Sequence, residues 1–275
     1  MAGTTINKDS GYTVIEFDSL SSHADYITEN NKSSYNYNKS LKDCGDFIGI
    51  KGNLDTIIGN IRYGDEKLTS SLLNLKEQDN YEAEEYDIHM DIEGFAYDMG
   101  SVICGEPECC LNTNPLAPKK TIEIVVDLGY SGGCCSTAIN YRSIAIMNLV
   151  TSLQREGYIV KLSLLSTYPY NKQIHKTNID TDIVSASQLA VGTSSYYWRG
   201  ASWLTVQILN QGGRDGGYDS STTPQNIIDQ FKKDNIFYIG GGYTDNRMNK
   251  LNSVDEANEY IQELFSKFID KELVA

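Results

Sequence analysis

The clearest hydrophobic pattern in the chain lies between residues 121 and 165. Residues 121–127 read Thr-Ile-Glu-Ile-Val-Val-Asp, a nearly continuous apolar run that is typical of a buried parallel strand. A Gly-rich turn follows, and residues 136–156 then repeat apolar side chains at helical spacing up to Gly157, which suits a helix C-terminus. Residues 159–165 return to a strand pattern. These segments predict one strand–helix–strand unit with a right-handed crossover.

Weaker patterns extend this unit in both directions. We expect further strands at 179–188 and 235–239, and helices at 19–29, 53–61, 68–75, 194–210, 224–232 and 253–268. Ser253 and Glu256 form a capping box at the start of the last helix. Alternating strands and helices predict an α/β fold, with a mostly parallel sheet flanked by helices and a small α-rich N-terminal region.

The chain divides by composition into three parts. Residues 1–75 form the α-rich region, 76–118 an acidic connecting segment, and 119–275 the α/β domain. From Glu77 to Asp98 there are nine acidic residues and no Lys or Arg. Such a run is typical of a solvated surface, and it lacks the Asp/Asn and Gly spacing of a calcium-binding EF-hand loop.

The net charge of the chain limits the kinds of molecule that it is expected to bind. The 275 residues carry 23 Lys and Arg against 37 Asp and Glu, for a net charge of −14. Binding of nucleic acid through a basic face is therefore not expected. No run of about 18 apolar residues predicts a membrane span, and the N-terminus lacks the apolar core of a signal peptide. Six cysteines, four of them in vicinal pairs, favour reduced thiols in a cytoplasm.

A candidate ligand site lies at the end of the first strand of the α/β domain, because open α/β sheets bind ligands at the carboxyl ends of their strands. Asp127 ends that strand, Ser131 follows four residues later, and Gly132 and Gly133 free the backbone to approach a ligand. This arrangement resembles the von Willebrand factor A-type domain, in which Asp-x-Ser-x-Ser supplies oxygens to a Mg²⁺-type site. The resemblance implies Mg²⁺ or Ca²⁺ binding by Asp127 and Ser131.

Gly129 stands where that domain has its first serine, so one hydroxyl ligand is missing. The alternative is that Asp127 is a buried hydrogen-bond acceptor or a cap. A nucleotide site at the same turn lacks both the dinucleotide fingerprint and a Gly-Lys-Ser/Thr ending. For nucleophilic catalysis, Cys134 or Cys135 at the start of the helix are candidates through the helix dipole. The chain has only three histidines as bases and no Gly-x-Ser-x-Gly elbow.

A second resemblance covers most of the chain and is most specific in residues 91–165. It is carried by Asp91-Ile-Glu-Gly94, Tyr97-Asp-Met-Gly100, Cys104-Gly-Glu-Pro-Glu-Cys109, the strand ending in Asp127, and Arg142 in the helix. The sequence is similar to a family of uncharacterised tailed-bacteriophage proteins, a domain of unknown function. The resemblance implies a phage origin and a degenerate von Willebrand factor A-like core, but no activity. Arg142 is a candidate partner for Glu106 or Glu108, most simply as a structural ion pair.

These observations favour a non-enzymatic phage protein that binds a phage or host protein or assists assembly, in the host cytoplasm or the virion. Two alternatives remain: a metal-dependent interaction module, and an enzyme with a strand-end cysteine nucleophile. The sequence leaves the oligomeric state open.

Overall fold

The computed structural model describes residues 3–9, 11–30, 54–74, 88–91, 96–97, 103–104, 110–113, 121–130, 134–156, 158–169, 171–180, 186–209, 236–241 and 250–274, with isolated positions at 225, 228, 229 and 247. The strands are β1 (Thr4–Asp9), β2 (Tyr12–Phe17), β3 (Ile88–Asp91), β4 (Ala96–Tyr97), β5 (Cys110–Thr113), β6 (Thr121–Asp127), β7 (Ile159–Tyr168), β8 (Gln173–Asp180) and β9 (Ile236–Ile239). The α-helices are α1 (Leu20–Asn30), α2 (Leu54–Tyr63), α3 (Glu66–Asn74), α4 (Ser136–Arg155), α5 (Ala186–Thr193), α6 (Trp203–Leu209) and α7 (Val254–Val274), and a π-helical turn spans Tyr197–Ser202.

The main sheet has six strands in the order β1-β2-β8-β7-β6-β9. Its β2–β8, β7–β6 and β6–β9 pairs are parallel, and its β1–β2 and β7–β8 pairs are antiparallel. The expected α/β class with a mostly parallel sheet is therefore confirmed. Strands β3, β5 and β4 form a separate antiparallel sheet.

The alternation of side chains along the central strand β6 separates two apolar clusters. Ile122, Ile124 and Val126 belong to the main core, together with the buried face of α4 and residues of α1, α2, α5, α7 and the π-turn. Val125 belongs to a smaller cluster with Leu165 and Ile174. Both sets are buried, which explains why β6 reads as a continuous apolar run and not as an alternating one.

The strand–helix–strand unit predicted from the sequence is confirmed. Strand β6, helix α4 and strand β7 fall where the pattern places them, and β6 pairs with β7 in parallel. The strand at 236–239 and the final helix are also confirmed. At the start of α7, the Glu256 amide donates to Ser253 Oγ at 3.1 Å, and Glu256 Oε2 accepts from the Asn252 amide at 3.0 Å.

The strand expected at 179–188 was wrong in position. Strand β8 covers Gln173–Asp180, and Ala186 already begins helix α5. Three of the buried side chains of β8 are the polar residues Gln173, His175 and Thr177. The sequence of this strand therefore lacks the alternation of apolar and polar residues that normally reveals a strand. A hairpin joins β8 to β7, and Lys172 in that turn has a left-handed φ of 51°.

The N-terminal region contains strands in addition to its helices. Helices α1, α2 and α3 are present, but β1 and β2 precede them and join the main sheet, where β2 pairs with β8 in parallel. The partner strand lies about 160 residues further along the chain, with Thr13 opposite Gln173. A pairing this distant in sequence has no local pattern that reveals it.

The helix expected at 194–210 is interrupted by the π-turn Tyr197–Ser202, all of whose residues are buried. A π-turn has one extra residue per hydrogen-bonded loop, and such turns are frequent at functional sites. The helix expected at 224–232 lies largely outside the described residues, with 225, 228 and 229 helical.

Candidate functional site

The Asp127 carboxylate ties the end of β6 to its surroundings. Its side chain is 1% exposed. Oδ1 accepts a hydrogen bond from the Gly129 amide at 2.8 Å, and Oδ2 accepts one from the Tyr238 hydroxyl of β9 at 2.7 Å. The first bond closes the turn after β6, and the second links two neighbouring strands. Asp127 therefore has the geometry of a buried hydrogen-bond acceptor.

Glycines allow the two strand-end turns to approach each other. A Cβ atom built on Gly241 would lie 2.3 Å from the Gly129 carbonyl oxygen, and one built on Gly129 would lie 3.0 Å from Asp127 Oδ1. No side chain fits at the first of these positions without movement of the backbone. Gly241, after β9, therefore packs directly against the turn after β6.

Arg142, on α4, forms buried hydrogen bonds with both strand ends. It is 0% exposed. Nη1 donates to the Asp127 main-chain oxygen at 3.0 Å and to the Tyr130 hydroxyl, and Nη2 donates to the main-chain oxygens of Gly240 at 2.9 Å and Ile239 at 3.2 Å. The guanidinium thus joins the carboxyl ends of β6 and β9. Burial raises the pKa of Tyr130, while Arg142 acts in the opposite direction, so the phenol stays protonated.

The other predicted site residues lie outside the described part of the chain. These are Ser131, Gly132, Gly133, Glu106 and Glu108, so neither the metal pair of Asp127 and Ser131 nor an ion pair of Arg142 is tested. Within the described residues, no three His, Cys, Asp or Glu side chains are grouped so that they could hold a metal ion.

The vicinal cysteines at the start of α4 have different environments. Cys135 is the N-cap, exposed, and its Sγ accepts from the Ala138 amide at 3.4 Å. Cys134 is buried. Burial, together with the neighbouring Cys135, raises the pKa of the Cys134 thiol, although Arg199 and Arg142 oppose this. The helix-dipole expectation of a lowered thiol pKa is therefore wrong for Cys134.

A second buried arginine connects this region to the π-turn. Arg199 Nη2 donates to the Cys134 main-chain oxygen at 2.6 Å, and its guanidinium lies 5.3 Å from the Trp198 ring. Trp198 in turn packs edge-to-face on Tyr130, with ring centroids 5.4 Å apart. No sequence pattern pointed to Arg199, because it is the one charged residue in a segment that is otherwise apolar, aromatic or neutral.

Sequence reasoning also missed a buried network around His23 of α1. His23 Nδ1 lies 2.6 Å from the Tyr197 hydroxyl, and Nε2 lies 2.6 Å from Thr205 Oγ1. The Thr205 hydroxyl donates to the Ala201 oxygen, so it accepts from Nε2–H, and Nδ1 then accepts from Tyr197. The Tyr197 oxygen pairs with Thr177 Oγ1 at 2.6 Å. His23 is thus a neutral imidazole that carries its proton on Nε2.

His175 of β8 forms a parallel arrangement. Its Nε2 faces Gln173 Oε1 at 3.3 Å, and Nδ1 lies 3.1 Å from Ser202 Oγ, which also accepts from the Tyr168 hydroxyl at 2.9 Å. A serine beside an oriented histidine resembles a nucleophile and its base. Here both side chains are at most 2% exposed, and burial lowers the His175 pKa to about 3. So weak a base does not activate a serine, and the network is structural.

The fold and these contacts define an α/β protein with a mixed six-stranded sheet, in which an internal arginine binds the carboxyl ends of the neighbouring strands β6 and β9. The family model described as "Domain of unknown function (DUF7192)" matches residues 4–191, and the chain belongs to this family. The match includes β1 to β8, while β9 and α7 lie beyond it. Comparison with curated proteins and with solved structures gave no match. No helix among the described residues is long and apolar enough to cross a membrane.

Proposed function

We propose that the protein is a non-enzymatic, phage-encoded protein that binds a phage or host protein or assists particle assembly, in the infected cytoplasm or within the virion. The observation that carries this proposal is that the polar side chains at the carboxyl ends of β6 and β9 are bonded to the protein itself. The two Arg142 Nη atoms and the two Asp127 carboxylate oxygens, all on buried side chains, form hydrogen bonds with the protein itself. A substrate that entered this crevice would have to displace those contacts.

Charge and composition support a protein partner. A net charge of −14 disfavours attachment to a phosphate backbone. The resemblance to tailed-bacteriophage proteins supports the phage origin. The β6–α4–β7 unit that ends its first strand in Asp127 supports a degenerate von Willebrand factor A-like core.

The direct test is cross-linking in infected cells that express the tagged full-length chain, followed by sedimentation and mass spectrometry. An unrelated acidic protein with the same tag controls for charge. We expect one phage or host protein to co-sediment in fixed stoichiometry with the chain and not with the control. A chain that sediments alone, and that hydrolyses a nucleotide or an ester at enzyme-like rates when purified, would contradict the proposal.

The metal-dependent module is the second candidate, favoured by the position of Asp127 at the end of β6, four residues before Ser131 in the sequence. Its test is thermal unfolding in EDTA, Mg²⁺, Ca²⁺ or Mn²⁺, because a ligand that binds only the folded state raises the midpoint. Asp127→Asn removes the charge, and Tyr238→Phe is the matched control that keeps the carboxylate. An ion-dependent rise that is lost only in Asp127→Asn supports this candidate, and flat curves exclude it.

A further inference from the structure

Both buried histidines contact the same short segment, the π-turn. Tyr197 and Ser202 are five residues apart, which is one hydrogen-bonded loop of a π-helix, so they lie near the same side of it. Tyr197 contacts His23 of α1, and Ser202 contacts His175 of β8. The π-turn therefore joins α1 to the sheet through two imidazoles.

The hydrogen-bond and ring contacts of His23 in the described part of the chain include hydroxyls and aromatic rings but no carboxylate. The Phe17 ring of β2 stacks on the imidazole, with centroids 4.0 Å apart and planes at 13°. Tyr197 of the π-turn and Thr205 of α6 occupy the two ring nitrogens. Two titratable groups face the ring, Tyr197 of the π-turn and His175 of β8. A charge on His175 opposes protonation of His23. His23 itself is 0% exposed.

His175 faces a similar set. Tyr168 of β7 is its titratable neighbour, with ring centroids 5.0 Å apart, and Ser202 and Gln173 bind its two nitrogens. Its hydrogen bond to Ser202 joins β8 to the π-turn, whereas the hydrogen bonds of His23 join α1 to the π-turn and α6.

Protonation of His23 changes the direction of a hydrogen bond. Nδ1 accepts from the Tyr197 hydroxyl when neutral, and becomes a second donor when charged. Tyr197 would then have to redirect its hydrogen to Thr177, while the new charge stays buried against an aromatic ring. We propose that His23 is an acid-sensitive latch: neutral, it holds α1 against the π-turn, and protonated, it releases α1 from the rest of the fold.

The direction of the effect follows from linkage. Burial, and secondarily His175, lower the His23 pKa well below 6.5 in the closed state. Released α1 exposes His23, whose pKa returns to about 6.5, so opening takes up one proton. The free energy needed to open α1 has its full value above pH 6.5 and decreases as the pH falls below it. Between pH 7 and pH 5 the opening constant of α1 should rise about 25-fold by this single proton.

Amide hydrogen exchange of the full-length protein, followed by mass spectrometry and corrected for the pH dependence of intrinsic exchange, measures this constant. Peptides from α1 report the latch, and peptides from α7 report global opening, whose constant rises further because both buried histidines then take up protons. We expect the α1 opening constant to rise about 25-fold between pH 7 and pH 5, by a smaller factor than that of α7. Equal changes in both helices, or no change in α1, would overturn the proposal.

Two variants separate the latch from general acid sensitivity. His23→Gln keeps a donor toward Thr205 but cannot take up the proton, so the rise of about 25-fold in the α1 opening constant should disappear. His175→Gln removes the other buried imidazole and should leave the pH dependence of α1 opening unchanged. NMR of the wild-type imidazoles gives an independent reading that does not depend on a folded variant. It should show His23 neutral with the proton on Nε2 at pH 6, and a charged or Nδ1-protonated ring overturns the latch.

Discussion

Arg142 donates a hydrogen bond to the main-chain oxygen of Asp127, 15 residues earlier in the sequence, at 3.0 Å. The same guanidinium reaches the last residue of β9 and the glycine after it. One side chain thus holds the turn after β6 and the end of β9 together, in the place where an α/β sheet ordinarily presents a ligand site.

Arg142→Lys should destabilise the protein strongly. A lysine ammonium cannot reproduce the planar fork, so several buried carbonyl oxygens and the Tyr130 hydroxyl lose a donor. We expect a loss of about 3 kcal/mol in the free energy of unfolding, measured by urea denaturation. Arg62→Lys is the control, because Arg62 pairs with Asp25 near the surface and should change stability by less than about 1 kcal/mol. Equal effects at the two positions would show that the Arg142 contacts contribute little.

Gly241→Ala should also destabilise the strand-end region. The added Cβ would meet the Gly129 carbonyl at 2.3 Å, and overpacking of this kind costs about 1–3 kcal/mol. Gly59→Ala on α2 makes the same chemical change where nothing lies within 4 Å, and should stabilise the protein by up to about 1 kcal/mol. Thermal unfolding of the two variants should therefore move in opposite directions.

Tyr238→Phe should lower the free energy of unfolding less than Asp127→Asn does. It removes one donor to Oδ2 and leaves the carboxylate bound to the Gly129 amide, so we expect a loss of about 1 kcal/mol. Asp127→Asn places an amide opposite the Tyr238 hydroxyl and should cost about 1–3 kcal/mol. A larger loss in Tyr238→Phe than in Asp127→Asn, in urea denaturation, would contradict a structural role for the carboxylate.

Global stability should fall with pH below 6.5. Burial depresses the folded-state pKa of His175 to about 3 and that of His23 well below 6.5, whereas the unfolded chain binds protons on both near pH 6.5. Each histidine then removes up to about 2 kcal/mol between pH 7 and pH 5. Unfolding free energies from urea titrations across this window should follow that slope. His175→Gln should flatten it, and an unchanged slope would mean that His175 is not the titrating group.

The cysteines of the α4 N-terminus should differ in reactivity. Cys134 is buried and its pKa is raised, so iodoacetamide at pH 7 should leave it unmodified in the folded protein. Exposed Cys135 and Cys104 should be alkylated under the same conditions. Site-resolved mass spectrometry of labelled protein measures both. Selective labelling of Cys134 below neutral pH would revive the cysteine-nucleophile alternative.

Several elements were determined by local sequence alone. Strand β6, helix α4, strand β9 and helix α7 each have a strong apolar period or a capping signal, and a periodic segment that buries one face has few other ways to fold. Asp127 was identifiable as important because its place at a strand end follows from that same pattern. Its use as a hydrogen-bond acceptor was one of the two alternatives that the sequence offered.

The remaining features were decided by tertiary structure. Strand β8 and the π-turn are rich in buried polar groups, whose burial is tolerated only because partners from distant elements satisfy them. His23 finds its partners 174 and 182 residues away, and Arg142 reaches Gly240 at a separation of 98. Such contacts leave no periodic signal in the chain, since the sequence specifies which groups need partners and only the assembled fold determines which partners they meet.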